Sequence, residues 1–197
     1  MHPSHRQLRG AASLTVFTVG HSTHTIEDFI RSLQAHGVTR VVDVRTIPRS
    51  RHNPQFNQDC LSSSLKEAGI ACVHLPNLGG LRPTTLASRN LGRRNKSFRG
   101  FADYMATPAF ERGIRALIRL ARQENVAMMC AEAVPWACHR SLIADALLVR
   151  GIRVIHILSP WRYEPHKLTP FASVRNVRVT YPRIRKPEAR LSATQTI

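Results

Sequence analysis

The stretch Ser13–Arg45, SLTVFTVGHSTHTIEDFIRSLQAHGVTRVVDVR, joins two apolar, β-branched runs through a segment of helical pattern. SLTVFTVG predicts a strand that ends at Gly20. In the middle segment Ile26, Phe29, Ile30 and Leu33 fall on one helical face, Thr25 and Asp28 form a capping pattern, and Gly37 supplies the stop. VTRVVDVR then predicts a second strand, and its near-continuous valines suit burial on both faces.

The alternation continues outward from this unit. A weaker helix is expected over Asn57–Ala68, with Leu61 and Leu65 inward and Gly69 as its cap. IACVHL reads as a third strand. In FADYMATPAFERGIRALIRLARQ, Thr107 and Pro108 mark a helix start, and Ile114, Leu117, Ile118 and Ala121 form its inner stripe. VAMMCA is a fourth strand. CHRSLIADALLVRG is a helix that buries Leu142, Ile143, Ala146 and Leu147 and stops at Gly151. RVIHIL is a fifth strand, and Val177–Tyr181 adds an edge strand. The stretch Pro76–Gly100 has little periodicity, and a loop of that length is usually functional or mobile.

The expected fold is therefore α/β: an open, mostly parallel sheet of about five or six strands flanked by helices, with Rossmann-like layering. A closed eightfold barrel usually takes ~250 residues, and this chain has 197. One domain over 14–182 is expected, with a flexible N-terminal tail at 1–13 and a basic C-terminal tail from 183.

Composition narrows the classes. No apolar run approaches the ~20 residues that span a bilayer. The first residues, MHPSHRQLRGAAS, lack the apolar core of a signal peptide, so a cytoplasmic protein without a membrane partner is expected. Cys60, Cys72, Cys130 and Cys138 form no CxxC pair, and reduced thiols are expected. The net charge of +17 favours a polyanionic partner, nucleic acid above all, although an excess made almost wholly of arginine also follows from codon usage.

In open parallel sheets the ligand crevice lies beyond the carboxyl ends of the strands. The chemically unusual residues concentrate there. His21 and Ser22 follow the first strand, Asp43 and Arg45 close the second, and Cys130 and Glu132 close the fourth. Cys138, His139 and Arg140 open the following helix. Each has two readings. Asp43, among valines, needs a partner, which Arg45, His21 or a backbone amide could supply; it is either a structural ion pair or a proton-handling group. Glu132 is a candidate acid or base, or a cap or ion-pair partner of Arg140. Cys138 near a helix N-terminus is a candidate thiolate nucleophile, or a buried small apolar residue. His139 would project about 100° from Cys138 on a regular helix and so be poorly placed to activate it. Arg140 in a first turn opposes the helix dipole unless an anion sits there; a bridge to Glu132 or Asp43 is the alternative.

A zinc site from Cys130, Cys138 and His139 or His21 is a further option, although C-x7-C-H matches no standard spacing, and no metal is assigned. Gly79 and Gly80 would let backbone amides approach a phosphate, but the stretch is neither a P-loop nor GxGxxG. Arg45, Arg49 and Arg51 would clamp an anion, or else belong to a solvated loop.

Four blocks, TVGHST, DVRTIPRSRHNPQF, HLPNLGGLR and CAEAVPWACHR, resemble in order the signature blocks of the bacterial and archaeal family called domain of unknown function 488. The resemblance runs from about Val16 to Leu158. It implies an α/β domain. Its signature falls here on Gly20, His21, Ser22, Asp43, Arg45, Pro48, Phe56, Leu78, Gly79, Gly80, Cys130, Glu132, Cys138, His139 and Arg140. It implies no reaction and no cofactor.

Two functions are expected from these readings. One is an enzyme with a strand-end pocket for an anionic, phosphate-bearing small molecule, nucleotide or nucleic-acid component. There Asp43, Glu132, Cys138 and His21 would be catalytic, and Ser22, Arg45, Gly79, Gly80, Cys130, His139 and Arg140 would bind substrate. The other is a non-catalytic nucleic-acid-binding module that uses the arginine-rich stretches at Arg89–Arg99 and Arg175–Arg190.

Overall fold

The computed structural model describes residues 14–183; the expected tail at 1–13, and all but Arg183 of the one at 183–197, lie outside the described residues. The opening unit forms as its pattern demands: β1 (Thr15–Gly20), α1 (Ile26–Ala35) and β2 (Arg40–Asp43). Thr25 caps α1 by accepting the Asp28 amide, Glu27 and Asp28 complement the dipole of its first turn, and Gly37 turns out of it at φ 64°. Then come α2 (Gln58–Glu67), β3 (Ala71–His74), α3 (Lys96–Tyr104), α4 (Pro108–Ala121), β4 (Val126–Cys130), α5 (Arg140–Leu148) and β5 (Arg153–Ile157).

These strands and β6 (Tyr163–Pro165) form one six-stranded sheet in the order β3-β2-β4-β1-β5-β6, parallel except for β6. The fold is α/β. Side chains alternate between two cores, one on each face. Val41, Ala127, Met129 and Val19 pack under Phe29 and Leu33 of α1 and Leu61 and Leu65 of α2. Val16, Val42, Met128 and Val154 pack under Phe101 of α3, Ile114 and Leu117 of α4 and Leu142 and Ile143 of α5. Each fully buried Leu, Ile or Phe contributes about 1.5–3 kcal/mol, and both faces are needed to hide the sheet.

Two expectations are corrected. The residues around Val177–Tyr181 form β8 (Arg178–Thr180), which pairs antiparallel with β7 (Ser173–Arg175) in a separate two-stranded sheet. Asn176 takes φ 55° and closes a tight hairpin, so local pairing wins over the sheet edge. Tyr181 is then held by its amide on Asn90 and its hydroxyl on Asp145 of α5. The edge strand is instead β6.

The long loop is also tied down. Asp103 of α3 accepts from the Thr85 amide and hydroxyl, the Ser88 hydroxyl and the Asn90 amide, while Arg82 stacks 3.9 Å over the Tyr104 ring. Its end is already helical from Lys96, because Asn95 caps the amides of Ser97 and Phe98.

Candidate active site

β1, β2 and β4 are adjacent or one strand apart, so their carboxyl ends share one rim. Gly20 lies in register with Cys130, and Asp43 with Met129. The His21 and Ser22 amides extend the ladder to the Cys130 and Ala131 carbonyls. The rim carries two polar groups of different character.

The first is a closed knot. The Arg45 guanidinium grips the Asp43 carboxylate through Nε at 2.9 and 3.0 Å and Nη2 at 2.6 Å, and the Arg45 amide also donates to Asp43. Nη2 reaches the Phe56 carbonyl as well, and His74 bonds the Arg45 carbonyl. His21 stacks on Phe56 with ring centroids 4.3 Å apart, and its Nε2 stands 3.5 Å from Arg45 Nη1. Burial pulls the His21 pKa down to about 4, against a smaller upward pull from its bond to the Ser22 carbonyl. His21 is thus a neutral ring in the apolar seam. Ser22 follows at φ 46°, half-buried. Arg45 is fully engaged here, whereas Arg49 and Arg51 stay on the surface.

The second group is open. The backbone at Cys138 is extended (φ −125°, ψ 148°), and His139 occupies the N-cap of α5. The two residues are not yet on a regular helix, so the 100° projection does not apply. His139 Nδ1 instead lies 3.7 Å from Cys138 Sγ and 3.9 Å from Cys130 Sγ. His139 Nε2 stands 3.1 Å from the Val44 carbonyl, which can only accept, so Nε2 donates to it and Nδ1 is the ring nitrogen turned to the sulfurs. The ring packs edge-on to Phe101. Gly80 approaches it so closely that a Cβ there would sit 2.9 Å from Nδ1. Gly79 is needed for a similar approach to Thr46, and its amide closes the turn onto Pro76.

Arg140 is fully buried at the first turn of α5. Its Nε donates to Cys138 Sγ at 3.3 Å, and its Nη2 donates to the Glu132 backbone carbonyl. The acceptor that meets this arginine at the helix start is the Cys138 sulfur. A hydrogen bond from Cys130 holds the Cys138 pKa down against burial, aided by His139 and Arg140; the same pair interaction and burial push Cys130 up. Arg140 Nη1 is buried with no hydrogen-bond partner. The Glu132 carboxylate, by contrast, is exposed; the residue enters the cluster through its backbone.

Beside this cluster a cleft of about 270 Å³ opens between the end of β1, α1 and the loop before α5. Its wall includes Gly20, His24, Ser32, Trp136 and Arg162. Gly20 connects the two: a Cβ there would collide with the Glu132 carbonyl and stand 2.9 Å from Arg140 Nη2.

Sequence reading missed a third network on the α5 face. Asp145, fully buried, accepts from His166 Nε2, the Thr169 amide and hydroxyl, and the Tyr181 hydroxyl. Burial alone would raise its carboxyl, but these bonds bring it below its usual range. From His166 the chain of contacts runs to His156 and Thr18. The available signal was a carboxylate inside the apolar run SLIADALL and a histidine inside RVIHIL, the same signal that singled out Asp43.

The molecule is thus an α/β protein with a thiol, imidazole and guanidinium centre at the carboxyl ends of its parallel strands. A family model described as domain of unknown function DUF488 matches residues 25–147, more than half of the chain, and the protein belongs to that family. No curated protein and no solved structure matches the chain significantly. Among the described residues no helix is long and apolar enough to cross a membrane, and all four cysteines are free.

Proposed function

We propose that this protein is a cytoplasmic enzyme acting on an anionic, phosphate-bearing small molecule, a nucleotide or a component of nucleic acid. The reading takes the layering as Rossmann-like, with substrate entering beyond the strand ends. The observation that carries it is Arg140: a buried guanidinium that holds the Cys138 sulfur while one of its donors remains unpaired. An unpaired buried donor costs about 1–3 kcal/mol, which an anion reaching it recovers. The adjoining cleft supplies an aromatic face at Trp136 for a base and Arg162 for a charge. Its volume fits a nucleobase or a phosphosugar, not a folded polymer. Within this reading Cys138, His139 and Arg140 form the reactive centre, and the Asp43–Arg45–His21 knot holds β1 and β2 at the spacing the centre needs.

The test is a thermal-shift and Trp-fluorescence screen of nucleotides and phosphosugars. A mononucleotide should raise the melting temperature and quench the fluorescence, and both responses should fall at least about tenfold in affinity in Trp136→Ala and Arg140→Lys. No response to any of these anions at millimolar concentration sinks the reading.

A second reading rests on a different observation. The two arginine-rich stretches converge: Arg89 from the long loop and Arg175 and Arg178 from the β7–β8 hairpin line one groove of about 990 Å³. Among the described residues none of the three has a side-chain bond. This groove suits a nucleic-acid backbone. Three phosphate contacts predict a log–log salt slope near about −2.7 on duplex DNA. Binding that is indifferent to salt rules this surface out.

A further inference from the structure

We propose that Cys130, Cys138 and His139 bind one thiophilic divalent cation, with zinc(II) as the expected occupant and a fourth coordination position left for a non-protein ligand.

The donor set suits such an ion. Two sulfurs and one imidazole nitrogen lie within 4.8 Å of one another, in a pocket where both cysteines are buried and the histidine is half-buried. Thiolate and imidazole are the ligands that zinc prefers, at bond lengths of about 2.3 and 2.0–2.1 Å. At a tetrahedral angle those lengths place sulfur and nitrogen about 3.6 Å apart. The observed nitrogen–sulfur separations are 3.7 and 3.9 Å, within a few tenths of an ångström of that value.

The orientation of His139 is the second, independent observation. A ligating histidine normally gives its other N–H to a carbonyl or carboxylate, which fixes the tautomer and aims the free lone pair. The Nε2 contact with the Val44 carbonyl does this here, and Nδ1 faces both sulfurs. Nδ1 is thereby the ring nitrogen offered to a ligand held between the two sulfurs. Gly80 maintains the arrangement, since any side chain there would press on Nδ1. Arg140 Nε completes an outer layer by donating to one of the ligand sulfurs.

The third observation is the coordination number. Three protein ligands are the number found at catalytic zinc sites, where the fourth position holds water or substrate; structural sites close with four. Two thiolates balance a divalent cation, which leaves the buried Arg140 charge to be met by whatever occupies the fourth position. Arg140 Nη1 is an unpartnered donor on the same side chain that already touches Cys138. An anionic oxygen, from hydroxide or from a phosphate-bearing substrate, satisfies both. That last step rests on the proposed function; the binding of the metal does not.

The sequence spacing concealed this site. C-x7-C-H matches no zinc pattern because Cys138 and His139 ligate from an extended residue and an N-cap, and Cys130 comes from the end of a strand. Two neighbouring segments, the end of β4 and the residues entering α5, converge without a metal knuckle.

The experiment uses the full chain stripped by chelation and titrated with zinc(II), and with cobalt(II) as a spectroscopic probe. One equivalent of either should bind. Cobalt should give the intense visible bands of tetrahedral coordination and a sulfur-to-cobalt charge-transfer band. Zinc should protect two of the four cysteines from a thiol reagent. Cys130→Ser, Cys138→Ser and His139→Asn should each weaken binding by on the order of 100-fold or more, while Cys60→Ser and Cys72→Ser leave it unchanged. Circular dichroism checks that each variant folds. Should the ligand variants fail to fold, the cobalt spectrum and the thiol protection of the wild-type chain decide. Absence of stoichiometric binding, a cobalt spectrum without sulfur ligation, or equal reactivity of all four thiols with and without zinc overturns the site. A mononucleotide titration of the apo and zinc-loaded chains separates the two readings. Stoichiometric zinc without nucleotide binding removes the proposed function and keeps the metal, whereas nucleotide binding by a chain that takes no zinc does the reverse.

Discussion

The Asp43–Arg45–His21 knot and the Cys130–Cys138–His139–Arg140 cluster occupy the same rim of the same sheet, and both are almost entirely shielded from water. They differ in what is left over. In the knot the carboxylate and guanidinium face one another through two nitrogens, Nη2 also reaches the Phe56 carbonyl, and the histidine is neutral against a phenyl ring. In the cluster a guanidinium donor has no acceptor and an imidazole nitrogen faces two sulfurs. Buried polarity alone therefore does not mark chemistry. Unspent hydrogen-bonding and ligand capacity does, because a fold that gained only stability from these groups would have satisfied them internally.

The comparison can be broken most decisively at the knot. Asp43→Ala strands the buried Arg45 charge and should cost about 3–5 kcal/mol in urea unfolding. A cost below about 1 kcal/mol would mean that the pair is not the structural element described.

Gly20→Ala probes the contact between strand and cluster. Its Cβ meets the Glu132 carbonyl, which is backbone and cannot swing aside, so about 1–3 kcal/mol of destabilisation is expected together with weaker ligand binding. Wild-type stability and ligand affinity in this variant would separate β1 from the Arg140 environment.

Acid should expose the neutral state of the buried histidines. His21 and His156 are both lowered by burial from 6.5 to about 4. Between these values the unfolded chain binds protons that the folded chain refuses, so stability is unaffected above the unfolded pKa and falls as pH drops from about 6.5 towards 4. Urea midpoints measured across that window should decline, and His156→Gln should flatten the profile. A midpoint that holds constant down to about pH 4.5 contradicts neutral burial.

A smaller stability effect sharpens the other half of the comparison. Cys138→Ala removes the acceptor of Arg140 Nε from a pocket that is not internally satisfied and should cost about 1–3 kcal/mol in stability, less than Asp43→Ala, while abolishing metal and ligand binding. A loss as large as that of Asp43→Ala would make the cluster a second structural knot.

Particular residues show how much was legible beforehand. The strands and helices were readable because valine runs and the Ile26, Phe29, Leu33 spacing are local patterns that any α/β packing must respect. The gathering of His21, Asp43, Cys130 and Arg140 at one rim was readable too, since parallel strands bring their carboxyl ends together. The role of Glu132 was not readable, because backbone and side chain of one residue can serve different partners. Nor was the Asp145 network, whose partners Thr169 and Tyr181 come from the irregular C-terminal stretch.

The amino-acid sequence by itself determined the layered α/β architecture and the address of the polar residues, since periodicity and strand order act over whole elements. Only the tertiary structure decided which of those residues are spent on one another. Whether Arg45 closes on Asp43, or His139 turns Nδ1 to Cys138, depends on ångström-scale distances between atoms of separate segments. A one-dimensional pattern does not encode those distances, because a single extended residue before α5 is enough to redirect the imidazole.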